Sequence, residues 1–439
     1  MGGVSTSAAA PVPSTGPRPA SSAALAAALP ELRARYEELR SRGLRLDLTR
    51  GKPSAEQLDL AEPLLALPGE GVHTDADGTD VRNYGGLLGL PQLRRMFAEL
   101  LDVPVDQLLA LGNASLTLMH DAIAYAMLWG VPGGTEPWSR GPVKFVCPVP
   151  GYDRHFALCE AFGIEMVTVP MTPDGPDAEA VAALVAEDPT VKGLWAVPTY
   201  ANPDGAVVAE AVARRLVSMP AAAPDFRIFW DNAYAIHHLT EDEVKTANAI
   251  DLAAEAGNPD RVLMFASTSK VSFAGAGVAF FASSPANVAW YTDHLKYQSI
   301  GPDKVNQLRH ALFFGSAEGV REHMRRHREI LAPKFRAVSE ILAARLGDQG
   351  VASWTEPRGG YFVSLDVVPG TASRVVELAK GAGIALTPAG ATFPYGKDPD
   401  DRNIRLAPSM PPLDEVRVAM DGVATCVLLA AAEAAAAAQ

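Results

Sequence analysis

Through the middle of the chain, short apolar runs alternate with amphipathic stretches. The runs at residues 143–147, 165–169, 193–197, 226–230, 261–265 and 278–281 are rich in β-branched and aromatic side chains. Their length and composition fit buried strands. Between them, stretches such as 153–162 and 209–219 repeat their apolar positions at helical spacing. This alternation predicts an α/β fold, a mostly parallel sheet covered by helices on both faces. Ahead of it, residues 23–42 place Leu25, Leu29, Leu32, Tyr36 and Leu39 on one side of a helix that Gly43 ends, and residues 44–48 alternate like a strand. Helices are also expected from near Pro91 and over 116–129. A charged helical stretch covers 317–345 and should kink or break at Pro333. A second, smaller α/β region follows and closes in an alanine-rich helical tail over 423–438. No internal repeat is visible.

The expected organisation is a disordered tail of Ala, Pro, Ser and Gly over residues 1–22, then an N-terminal segment of a small domain with an active-site loop (23–75). A large domain (76–316) and the C-terminal part of the small domain (317–439) complete it. With 48% hydrophobic and 20% charged residues, the composition fits a globular enzyme with a substantial core. A net charge of −13 argues against nucleic acid or an anionic membrane as partner. Three cysteines, Cys147, Cys159 and Cys426, make neither a disulfide framework nor a zinc pattern, so a cytoplasmic setting is expected. No membrane-spanning segment is expected, since the apolar tail carries Glu433 and is mostly alanine. Met1-Gly2-Gly3-Val4-Ser5-Thr6 fits a loose myristoylation pattern. The pair His323/His327 has i, i+4 spacing but no third ligand nearby; no metal is expected, and a solvated helix face is the simpler reading.

In parallel sheets, ligand residues sit in loops at the carboxyl ends of strands. Four such loops are unusual: Pro148-Val149-Pro150-Gly151-Tyr152, the run from Pro198 to Gly205, Asp231-Asn232-Ala233-Tyr234, and Ala266-Ser267-Thr268-Ser269-Lys270. A lysine at the mouth of a buried strand, among hydroxyls and small residues, suits an aldehyde cofactor. Its amine can form a Schiff base while the hydroxyls hold a phosphate; an ordinary loop lysine is the plain alternative. Gly112-Asn113-Ala114-Ser115 opens a helix and either offers free N–H groups to an anion or only caps it. Asp231 is either a buried partner for a protonated ring nitrogen or a turn aspartate.

The order Asn-Pro-x-Gly (202–205), Asp-x-x-Tyr (231–234), Ser-x-Ser-Lys (267–270) and then an arginine resembles the fold-type I pyridoxal-phosphate enzymes. Within them it is similar to class I/II aminotransferases, over about residues 40–430. With Pro-Gly-Tyr-Asp-Arg-His (150–155), it looks like a divergent bacterial aspartate aminotransferase subgroup. That resemblance implies a seven-stranded type of large-domain sheet, pyridoxal 5'-phosphate as cofactor, and a homodimer with shared active sites. It implies Lys270 as Schiff-base lysine and catalytic base, Asp231 on the pyridine nitrogen, and Asn202 and Tyr234 on the ring hydroxyl oxygen. Tyr152 would stack on the ring. Ala114, Ser115, Ser267 and Ser269 would hold the phosphate, and Tyr84 would reach the phosphate of the neighbouring subunit. Arg405 would clamp the substrate α-carboxylate, with Gly51 in the loop that closes over substrate.

One departure stands out: the position eight residues after the lysine, an arginine in the family, is Val278. Helix N-termini, hydroxyls or a cation from elsewhere would then have to balance the phosphate. For the distal carboxylate of aspartate or glutamate, Arg50 and Lys52 beside Gly51 are the first candidates, followed by Arg154, Lys296, Arg309, Arg358 and Lys397. Ping-pong transamination of L-aspartate with 2-oxoglutarate is expected. The alternatives are another pyridoxal-phosphate reaction, a broader substrate range, or a regulator built on the same domain. A DNA-binding module has too little room in the ~45 residues ahead of that domain.

Overall fold

The computed structural model describes residues 22–439; the Met1–Thr6 pattern and the expected tail, Ser22 apart, lie outside the described residues. The strands pack as the alternation predicts. Along Arg227–Asp231, Ile228 and Trp230 enter one core while Phe229 enters another on the opposite face of the sheet. Phe145 and Val146 divide in the same way, as do Leu194 and Trp195, and Met264 and Phe265. Since both faces are covered, these strands read as continuous apolar runs rather than as an alternation.

In space the sheet runs Leu108–Ala110, Ala279–Ala282, Val262–Ser267, Arg227–Asp231, Val191–Ala196, Lys144–Val149, Glu165–Thr172, Gly175–Pro176. The five strands from Val262–Ser267 to Glu165–Thr172 are mutually parallel. Ala279–Ala282 runs antiparallel between Val262–Ser267 and Leu108–Ala110. With the two-residue strand at the far edge the sheet has eight members, one more than the seven-stranded type. The parallel strands all point their carboxyl ends toward one side, where Tyr152, Asn202, Asp231 and Lys270 follow.

A third core joins the two ends of the described chain. Leu32, Tyr36 and Leu39 of helix Ser22–Ser41 pack with Leu342 and Leu346 of helix Ala317–Leu346 and with Val423 and Val427 of helix Leu413–Ala437. Leu46–Asp47 pairs in parallel with Ile384–Ala385. Beside it, Ala352–Trp354, Val363–Val367 and Asn403–Leu406 make an antiparallel sheet in which Arg405 lies opposite Ser364.

Three expectations need correction. The charged stretch does not break at Pro333: one helix of 30 residues runs through it. Leu331, Phe335 and Val338 are buried on both sides of the proline, and their packing holds the helix where propensity alone would end it. His323 and His327 do not form a solvated face, being 5% and 1% exposed. The last helix begins ten residues earlier than expected, at Leu413. It is the one helix among the described residues long and apolar enough to cross a membrane, and most of it is buried within the protein.

Candidate active site

The lysine loop is built before its lysine is used. Thr268 is fully buried and holds the turn in two directions: its N–H donates to the Val278 carbonyl (2.8 Å) and its hydroxyl accepts from the Val278 N–H (2.9 Å). Ser272 Oγ lies 3.1 Å from that hydroxyl and 2.8 Å from His310 Nε2, and His310 Nδ1 is 2.8 Å from the Asn306 carbonyl. Lys270 then leaves a fixed backbone and extends into a cavity of 170 Å³. Its Nζ lies 4.9 Å from the centre of the Tyr234 ring and 6.0 Å from that of Tyr361. The residue is half-buried, lining both this cavity and the wider mouth outside it. Burial therefore pulls its pKa below the usual lysine value, with Asp231 opposing.

Asp231, 2% exposed, ends the strand next to the lysine strand. His155 Nε2 lies 3.0 Å from its Oδ2, and the imidazole is stacked on Trp195 with centroids 4.1 Å apart and planes 5° from parallel. The other oxygen, Oδ1, is buried with no partner among the described residues. A buried carboxylate oxygen left unpaired is costly, so this one fits an N–H brought by a ligand. Burial raises the phenol of Tyr234 well above its usual pKa and that of Tyr152 to about 12, so both stay protonated donors.

The same cavity is lined by Ala114, Ser115, Tyr152, Asn202, Tyr234, Ser267 and Ser269. Ala114 precedes helix Ser115–Trp129 and supplies no side-chain cap, which leaves the first-turn N–H groups without that partner. Ser267 Oγ donates to Ser269 Oγ at 3.1 Å. A wider mouth of 670 Å³ continues outward, sharing Tyr152, Asn202, Tyr234 and Lys270 and adding Arg50, Gly51, Lys52, Arg154, Phe362 and Arg405. Gly51 is required by contact: a Cβ there would sit 2.5 Å from the Phe362 ring. Arg405 is 6% exposed, and its guanidinium carbon lies over the same ring, 5.0 Å from the centroid. One of its nitrogens, Nη1, donates to Asp153 (2.8 Å) and Asn202 (3.4 Å), while its buried Nε has no partner among the described residues.

Thus the structure brings the sequence-predicted site residues to this cavity or its mouth, except Tyr84 and the later cation candidates Lys296, Arg309, Arg358 and Lys397. Tyr84 is 83% exposed, on a loop held by Lys304, whose Nζ donates to the carbonyls of Asn83 (2.8 Å) and Gly85 (2.6 Å). Of the later cation candidates, Arg154 lines the mouth, whereas Lys296 pairs with Asp293 and Arg309 donates to the Leu67 carbonyl. Val278 is 1% exposed in a hydrophobic core. It is not among the residues that line the cavity.

Sequence reasoning missed several neighbours. His155 stood inside a quoted motif without a role. Tyr361 and Thr268 carried no signal of their own. His237, 4% exposed, meets Tyr234 and Tyr361 edge-on, and neither ring nitrogen has a side-chain partner among the described residues; burial and nearby Lys270 push its pKa well below the usual value.

A family model described as aspartate amino-transferase matches residues 20–439. The chain belongs to the aspartate aminotransferase family. It is 58% identical to an aspartate aminotransferase of Corynebacterium glutamicum, over 92% of this chain and 93% of that protein. A Mycolicibacterium smegmatis relative, named only as an aminotransferase, is 61% identical over 91% of this chain and 94% of its own length. The crystal structure of an aspartate transaminase from C. glutamicum superposes with a TM-score of 0.92 at 57% identity, covering 94% and 97% of the two chains. This family member therefore has the fold-type I α/β architecture and is an aminotransferase.

Proposed function

We propose that the chain transfers the amino group of L-aspartate to 2-oxoglutarate by a ping-pong mechanism, giving oxaloacetate and L-glutamate, with pyridoxal 5'-phosphate held by Lys270. The observation that carries this reading is one cavity facing both a desolvated lysine amine and a buried carboxylate oxygen without a partner. When bound, the cofactor supplies an electron sink for the bonds at the substrate Cα. Asp231, braced by His155, keeps its free oxygen for the ring N–H. Tyr234 and Asn202 are placed to donate to the ring oxygen, and Tyr152 to cover the ring. Ser115, Ser267, Ser269 and the start of helix Ser115–Trp129 would receive the phosphate, with no cation in the cavity lining besides Lys270.

Lys270, neutral more readily than a solvated lysine, takes and returns the Cα proton. Arg405 binds the α-carboxylate through its unpaired face. Arg50, Lys52 and Arg154 ring the mouth, and the distal carboxylate of aspartate would meet them. The C. glutamicum aspartate aminotransferase supports this choice of substrate. Tyr84, exposed and tethered, would complete the phosphate site of a second copy in a homodimer. All three cysteines are buried and unpaired, which supports a cytoplasmic location. The division into a large domain and a small domain built from both chain ends follows the separate cores.

The test is the absorption spectrum of the purified protein before and after L-aspartate, then after 2-oxoglutarate, with Lys270→Ala alongside. The cofactor band should be bleached by aspartate, restored by 2-oxoglutarate, and altered in Lys270→Ala. A band that aspartate leaves unchanged removes aspartate as substrate.

A further inference from the structure

Beside Lys270, four buried polar side chains form one connected chain. Gln57 (0% exposed) donates from Nε2 to Tyr361 Oη at 2.8 Å, and Tyr361 (1%) donates to the Lys270 carbonyl across a long 3.4 Å. The same Gln57 nitrogen lies 2.9 Å from His327 Nδ1; His327 Nε2 is 3.0 Å from His323 Nε2, which is 2.7 Å from the Val271 carbonyl. The Gln57 amide has a fixed orientation, because its Oε1 accepts the Ser54 N–H (3.0 Å) in the capping box of helix Ala55–Asp59. Its NH2 therefore faces both arms of the chain.

Donor order follows. With Gln57 donating to Nδ1, His327 carries its proton on Nε2 and donates to His323. His323 Nε2 holds either one proton or one lone pair, so it serves His327 or the Val271 carbonyl at any moment. The arm through Tyr361 has no such conflict.

This placement joins three separate stretches of sequence. Gln57 follows the Arg50–Pro53 loop at the mouth, Tyr361 precedes the Phe362 that packs on Gly51, and the histidines belong to helix Ala317–Leu346. We propose that Gln57 is a positioning residue for the active-site lysine: through Tyr361 and through His327–His323 it ties the mouth loop to the peptide bonds of Lys270 and Val271, so that both keep one relative position. The inference rests on Lys270 being the cofactor lysine. Groups facing the Lys270 amine are Asp231, Tyr234, Tyr361 and His237; those facing His327 are His323, Arg326, His237 and Gln57.

The test compares Gln57→Leu, Tyr361→Phe and His327→Gln with the parent enzyme. Three quantities are read: kcat and KM for aspartate, the pH midpoint of the cofactor absorption band, and amide hydrogen exchange over residues 268–273 in cofactor-free protein. Gln57→Leu and Tyr361→Phe should lower kcat about tenfold with KM changed less than about threefold. They should move the band midpoint by about half a unit or more and speed loop exchange about tenfold. In His327→Gln, the amide oxygen can accept from Gln57 and its N–H can donate to His323, so the values should return toward the parent's. Parent values in Gln57→Leu and Tyr361→Phe, or lost thermal stability with kcat and band unchanged, overturn the proposal. Tyr361→Phe removes only a hydroxyl and carries the test if Gln57→Leu does not fold. A normal band in Lys270→Ala would instead overturn the lysine assignment.

Discussion

At Asp231 the two carboxylate oxygens have different fates. His155 meets Oδ2 and leaves Oδ1 buried and unpaired. The division depends on a histidine 76 residues away, itself fixed by stacking on Trp195. Lys270, Asp231 and Arg405 were legible in the sequence through the order of motifs that resembles the aminotransferases, since each alone had an ordinary loop or surface reading. His155, Gln57 and His237 were not, since their meaning comes from neighbours distant in the chain. Asp204 adds a charge effect of its own. Burial, only partly offset by the Ala206 N–H, raises its pKa to about 7. The folded protein thus holds a proton that the unfolded chain releases near pH 4, and stability falls as pH rises between these values, by about 1.4 kcal/mol per pH unit. Asp204→Asn keeps the oxygen that accepts from Ala206 and removes this slope. Urea unfolding should show the variant gaining on the parent from pH 5 to pH 8 by about 2.5 kcal/mol, nearly all of it below pH 7. An unchanged difference between the two pH values would refute the assignment.

Elements were legible in proportion to their length and the continuity of their apolar pattern. The six strand runs all appear with ends shifted by up to three residues, most of them because they are buried on both faces; Glu165–Thr172, toward the sheet edge, is only partly buried. Leu108–Ala110 was not foreseen: three residues show no period, and its antiparallel pairing with Ala279–Ala282 is set by a partner about 170 residues away. Pro333 misled for the opposite reason, a strong local signal overruled by buried packing. The Val278 position illustrates what an element imposes on a site. It begins the return from the lysine loop into Ala279–Ala282 with its side chain in the core and its N–H on Thr268. Val278→Arg, which restores the residue usual in the family, should therefore bury an unpaired charge and destabilise the enzyme by about 3–5 kcal/mol. Thermal unfolding would register the loss, and equilibrium binding should show no tighter hold on the cofactor. Tighter binding without loss of stability would mean that the side chain reaches the cavity.

At the scale of the whole molecule, helix Ser22–Ser41 has its main packing partner in helix Leu413–Ala437, and the strand after it pairs with Ile384–Ala385. A ribosome delivers these partners in order. Roughly 370 residues separate the end of the first helix from the start of the last, a wait of about 20–70 s at typical synthesis rates. During that interval Leu32, Tyr36 and Leu39 have no permanent cover, whereas the eight-stranded sheet has all its strands once residue 282 is made. Ribosome-bound chains halted before Leu413 should be cleaved by protease between residues 22 and 48 while the region around residues 108–282 resists, and release of the full chain should abolish that cleavage. Early protection of the first helix would mean that it finds another surface first. The segment that carries Gly51 and Gln57 is made long before helix Leu413–Ala437 and strand Ile384–Ala385, on which the helix and strand ahead of it pack, so the mouth of the active site closes only after those later elements have emerged.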